Sequence, residues 1–80
     1  MTLSSAISKR ILELCKQRDI TINKLSNMCG LTQSLTAYIV KTPDTKTSVS
    51  SVKKICDGLD MTLGEFFSTD YFDSLEQEIK

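Results

Sequence analysis

Residues 21–40 read T-I-N-K-L-S-N-M-C-G-L-T-Q-S-L-T-A-Y-I-V. The stretch predicts two short helices joined by a tight turn at Gly30. Thr21 stands where it would cap the first of them and Thr32 the second, each hydroxyl accepting from a free N–H of the first turn. Ile20 precedes the first cap and Leu25 lies four residues beyond it, the spacing of a hydrophobic staple. Gly30 falls where the chain must reverse, a place that favours a positive φ. Two helices so arranged either offer the second to the major groove of DNA or simply build a core.

The rest of the chain narrows that choice. Eighty residues make one small domain. With 6% aromatic residues, no Trp and one Pro, the core must come from Leu, Ile, Val and Met, as in helical domains. No apolar run approaches the roughly 18 residues of a membrane span. The N-terminus lacks a basic segment followed by a long apolar one, so a cytoplasmic protein with no membrane partner is expected. Cys15, Cys29 and Cys56 are far apart, with no CxxC pair and no His. A zinc site normally needs four ligands at short spacing, so these read as reduced, buried small hydrophobes, and no metal is expected. There is no Gly-rich phosphate loop, nucleophile motif or paired-carboxylate pocket. An enzyme, a cofactor or a small-molecule ligand is therefore not expected.

The formal net charge is zero, but it is segregated. Residues 1–56 hold nine Lys or Arg against three carboxylates, a net +6. Residues 57–80 hold seven carboxylates against Lys80, a net −6. Phosphate binding responds to the local potential rather than to the total, so the first segment is the one suited to nucleic acid.

Apolar periodicity supplies the other helices. Ile7, Ile11, Leu14 and Cys15 form one stripe on a helix over residues 5–18 capped by Ser4 or Ser5, leaving Leu12 off the stripe. Residues 41–47 are a polar loop with Pro43-Asp44 as its turn signal. Ser48 caps a fourth helix with Val49, Val52, Ile55, Cys56 and Leu59 on its apolar face. Gly58 weakens its end by roughly 1 kcal/mol relative to Ala. Thr62 caps a fifth helix, with Glu65 placed for a capping box and Leu63, Phe66 and Phe67 as its apolar residues. Asp70 could cap a sixth with Phe72, Leu75 and Ile79 on one face, marginal alone at about ten residues. No strand-like alternation appears. The fold class is all-α: five helices with a helix-turn-helix in the second and third, plus a short C-terminal helix or tail.

Three segments in order, I-x-x-R-I-x-E-L-C-like residues near the start, then the 20–34 stretch, then S-V-x-x-V-K-K-I-C-D-G-L-D-M-T-L-G-E-F-F, make the chain resemble the phage-repressor-like (Cro/Xre-type) helix-turn-helix family over about residues 5–67. The resemblance implies a DNA-binding transcriptional regulator, mostly sequence-specific and often a homodimer. It divides the chain into a DNA-binding domain over 1–67 and an acidic tail over 68–80 that could be a dimerisation helix. Two positions depart from the family. A large aliphatic residue usually stands where Thr36 is, and here it comes one place earlier, as Leu35. A one-residue shift rotates a side chain by about 100°. Either Thr36 buries its methyl and Leu35 faces the groove, or the third helix is rotated. Cys15 and Val40 stand where similar proteins pair an Arg with a Glu, so an uncharged contact is expected in place of an ion pair.

The resemblance places the recognition helix at about residues 33–40. Gln33 is the foremost reader, since its amide suits a bidentate contact with adenine. Ser34, Ala37 and Tyr38 share the exposed face. Thr32 at the helix start could hold a phosphate. Asn23, Lys24, Lys41 and Lys46 would contact backbone, positioning rather than reading. Phe66, Phe67, Tyr71 and Phe72 are expected as exposed aromatics forming a homodimer contact with the tail. The competing expectation is a protein-interaction module, or an antitoxin that binds both DNA and a partner, on the same fold.

Overall fold

A computed structural model describes residues 1–41 and 47–77. Its elements are α1 (Leu3–Arg18), α2 (Ile22–Cys29), α3 (Gln33–Lys41), α4 (Val49–Gly58), α5 (Leu63–Phe67) and α6 (Asp70–Asp73). The expected Pro43-Asp44 turn lies outside the described residues. No described helix is long and apolar enough to cross a membrane.

The first helix starts earlier than its apolar stripe indicates. Thr2 is the cap, not Ser4 or Ser5. Its hydroxyl accepts from the Ser5 N–H at 3.1 Å while the Ser5 hydroxyl sits 3.0 Å from the Thr2 N–H. This reciprocal pair satisfies donors that a bare helix end leaves open, and so adds a turn. Thr21, Ser48 and Thr62 cap α2, α4 and α5, with Glu65 completing the box at Thr62. The Thr62 N–H bond to the Glu65 carboxylate holds that carboxyl below its ordinary range.

Three helix ends share one device. The chain turns left-handed at Asp19 (φ 54°), Gly30 (φ 68°) and Asp60 (φ 55°). The N–H of the following residue then reaches back across the last turn: Ile20 to the Cys15 carbonyl, Leu31 to Ser26 and Met61 to Cys56, at 2.9–3.1 Å. Ile20, Leu31 and Met61 each fold onto the core. Only the Gly30 turn is evident in the sequence, because aspartate tolerates this conformation but does not announce it.

The core gathers Ile7, Ile11, Leu14 and Cys15 from α1, Leu25 and Cys29 from α2, and Ile39 from α3. Val52, Ile55, Cys56 and Leu59 from α4 and Phe66 from α5 complete it. Val49 is on the expected face of α4 but is 69% exposed. Periodicity identifies the face; it does not say how far along the helix the neighbours reach. Gly58 has a different meaning from the expected weak helix end. A Cβ there would stand 2.6 Å from the Cys29 sulfur and 2.8 Å from the Met28 carbonyl oxygen. The glycine lets α4 lie directly on the end of α2. All three cysteines are free and buried. Burial, with the other two thiols nearby, pushes Cys29 up to about 11.

The aromatic residues near the C-terminus are not the exposed surface expected. Phe66 is fully buried, and Phe67 and Phe72 pack on the core beside it. Their rings meet edge-on, with centroids 4.9 Å apart for Phe66–Phe67 and 5.0 Å for Phe67–Phe72. A core built from small aliphatics and cysteines needs these rings to close its open end. Arg10 of α1 ties down the same end, donating to the Phe66 carbonyl at 2.7 Å and the Glu65 carbonyl at 2.9 Å. The sixth helix is a single turn. Asp70 is its first residue rather than its cap, which is Thr69 without a side-chain bond. Tyr71 anchors that turn to α1: its hydroxyl donates to the Glu13 carboxylate, and Lys9 lies 4.4 Å over its ring. Ile79 lies outside the described residues.

Two predictions follow from this packing. Gly58→Ala, favourable by helix propensity alone, lowers stability by about 1–3 kcal/mol through overpacking against Cys29, measured by urea unfolding. Tyr71→Phe lowers stability by about 1 kcal/mol at neutral pH. Burial and the Glu13 bond push Tyr71 up to about 12 in the folded chain. Its contribution is therefore complete below the ordinary tyrosine value near 10 and lost as pH rises toward 12, so wild type and variant converge over that window.

Candidate nucleic-acid interface

The orientation of α3 is set by groups on three helices. Thr32 begins it: its hydroxyl accepts from the Leu35 N–H at 3.1 Å, the capping role its position predicts. Thr36 is fully buried, and its hydroxyl donates back to the Thr32 carbonyl at 3.1 Å. The buried methyl serves the core and the polar atom is satisfied within the helix, so neither demand displaces the other. Of the two arrangements open for Leu35 and Thr36, the structure adopts the first: Leu35 is 39% exposed.

Two serines that the sequence reading passed over hold this arrangement. Ser8, buried on the apolar face of α1, donates to the Ile39 carbonyl at 2.6 Å and so pins the last turn of α3. Ser26 is fully buried on α2, its hydroxyl bonded to the Ile22 carbonyl at 2.9 Å. Its polar atom is thereby satisfied within α2, so a small side chain enters the interior without an unpaired group. The available signal was a small polar residue inside each apolar stripe, Ser8 between Ile7 and Ile11 and Ser26 beside Leu25. Cys15 is buried and Val40 half-buried, both on the core, so uncharged side chains occupy the positions discussed for an ion pair.

With Thr36 and Ile39 inward, the outward arc of α3 carries Ser34, Ala37, Tyr38 and Lys41 at i, i+3, i+4 and i+7. Ser34 and Lys41 are exposed, Tyr38 is 56% exposed, and Ala37 is half-buried at the edge. Gln33 is exposed in the first turn, where helix geometry leaves backbone N–H groups without intrahelical partners. Asn23 and Lys24 are exposed in the first turn of α2. These side chains share the two helices of one motif. Lys46 lies outside the described residues. Lys53, by contrast, is engaged with Asp57 along α4. The described carboxylates of the acidic segment lie outside the motif: Asp57 on α4, Asp60 in the turn after it, Glu65 on α5, Asp70 and Asp73 on α6, and Glu76 beyond α6. Among the described residues, no group of three or more His, Cys, Asp or Glu is placed to hold a metal ion.

The whole arrangement is similar to a solved structure, the crystal structure of the prophage Lp1 protein 11, with a TM-score of 0.80 over 92% of this chain and 97% of that one. Sequence identity is 23%, so the likeness concerns the fold. No curated protein matches by sequence. The family model described as Cro/C1-type HTH DNA-binding domain matches residues 10–70, which spans most of α1, the whole motif, α4 and α5. The chain belongs to the Cro/C1-type helix-turn-helix DNA-binding domain family.

Proposed function

We propose that this chain is a sequence-specific double-stranded DNA-binding transcriptional regulator, a repressor that places α3 in the major groove. One observation carries the reading: burial of Thr36 turns Ser34, Tyr38 and Lys41 to the same outer side, with Gln33 in the exposed first turn. Gln33 then reads adenine and Ser34 a neighbouring base edge or phosphate. Tyr38 reaches phosphate or sugar, and Ala37 permits close approach. Thr32 at the helix start, Asn23 and Lys24 on α2, and Lys41 and Lys46 hold the phosphate backbone. Residues 1–67 do this work, and the acidic tail faces away from DNA. The activity belongs to the cytoplasm and involves no catalysis.

One such domain reads only a few base pairs, so the functional unit is a homodimer on half-sites about one DNA turn apart. The contact lies on the side of α5 and residues 68–80. With Phe66 inside, Leu63, Phe67, Tyr71, Phe72 and Leu75, all half-buried, are the side chains left for it. A second reading, a partner-binding or antitoxin-like protein on the same fold, is favoured by the exposure of Leu35 and Tyr38 on α3.

Binding titrations on a selected operator and a scrambled duplex separate the roles. Gln33→Ala weakens operator binding by roughly 1–3 kcal/mol and relaxes preference at one base. Lys41→Ala weakens both duplexes alike and lowers the salt slope by about 1. Unchanged operator affinity in both variants overturns this docking. In sedimentation, the operator complex exceeds the mass of the free duplex by twice that of the 8.9 kDa monomer. A single copy per operator overturns the homodimer.

A further inference from the structure

Leu35 and Tyr38 stand three residues apart on α3 and so lie on one side of the helix. Leu35 is 39% exposed and Tyr38 56%. A rotation of α3 by about 100° would bury the leucine in place of Thr36 and remove more apolar surface from water. The helix is held against that rotation. Ile39 is locked in the core and its carbonyl takes the Ser8 hydroxyl of α1 at 2.6 Å. Leu35 is thus kept out of the core by contacts elsewhere. Its neighbours on the exposed surface are Ser34 and Tyr38, with Lys41 one turn further along.

Resting on the DNA-binding role proposed for α3, we infer that Leu35, backed by the ring of Tyr38, is a specificity-determining residue that reads a thymine 5-methyl group. The chemistry selects this occupant. The thymine methyl is the apolar group the major groove displays, whereas cytosine at the same place presents an N4 amino donor. Leucine removes the methyl from water at no polar loss. Against cytosine it would leave the amino group without an acceptor, which is unfavourable once water is excluded. Leu35 therefore favours T·A over C·G at one position, beside the adenine reading assigned to Gln33.

The test uses the full chain. The preferred duplex is selected from a random pool, and each thymine is then replaced singly by deoxyuridine, which removes only the methyl. Wild type loses about four-fold in affinity at one position, the worth of one buried methyl-sized group. Leu35→Ala binds the thymine duplex correspondingly more weakly and is indifferent to that replacement. Its thermal midpoint, unchanged because Leu35 is outside the core, shows that folding is intact. Indifference of wild type to every replacement, or retained sensitivity in Leu35→Ala, overturns the inference while leaving sequence-specific binding in place. If wild type prefers no duplex at all, the DNA-binding role fails and the inference with it. If Leu35→Ala instead changes the sedimenting mass without altering the deoxyuridine response, Leu35 is a protein contact and the inference is overturned.

Discussion

Close approach of helix backbones around α2 is the constraint on which the remaining structure depends. Gly58 permits it on the α4 side, where even a methyl group would collide with Cys29 and Met28. Ser26 on α2 is also fully buried, with its hydroxyl turned back onto its own helix. Leu25 of α2 is fully buried in the core, and dense packing of this kind makes each position sensitive to a single added methyl. The short α2 and α3 have little helical stability of their own at eight and nine residues. Their geometry is imposed by what they pack against.

Buried polar groups then choose among the packings that apolar residues alone would allow. Ser8, Ser26 and Thr36 each place a hydroxyl inside, and each has a backbone carbonyl as acceptor. Ser26 and Thr36 are satisfied within their own helices, whereas the Ser8 bond joins α1 to α3, so a rotation of α3 that broke it would be penalised twice, in packing and in desolvation. Arg10, two residues beyond Ser8 on α1, likewise joins α1 to the Phe66 and Glu65 carbonyls of α5. The result is a recognition helix whose outward face is decided by interior contacts.

The same economy of apolar residues explains the C-terminus. Phe66, Phe67 and Phe72 are the only phenylalanines in the chain, and all three are drawn into closing the core. The start of α6 is also tied to α1, through the bond of Tyr71 to Glu13. Positive charge remains on the motif at Lys24 and Lys41, and the carboxylates of α5 and α6 are carried elsewhere.

Much of this was legible in the chain itself. The caps at Thr21, Thr32, Ser48 and Thr62, the turn at Gly30 and the apolar stripes of α1 and α4 are local, and local chemistry is written in neighbouring residues. The helix-turn-helix, the all-α class and the outward positions of Gln33, Ser34 and Tyr38 follow from them. The cap at Thr2, the left-handed turns at Asp19 and Asp60, the exposure of Val49 and the burial of Phe66 did not. Periodicity names a face without saying what covers it, and an aspartate is equally at home in several turns. The choice between Leu35 and Thr36 for the core was open in the sequence, because both arrangements bury an aliphatic group. Only the tertiary structure decided it, since the atoms that settle the rotation, Ser8 on α1 and the core around Ile39, come from parts of the chain about thirty residues apart.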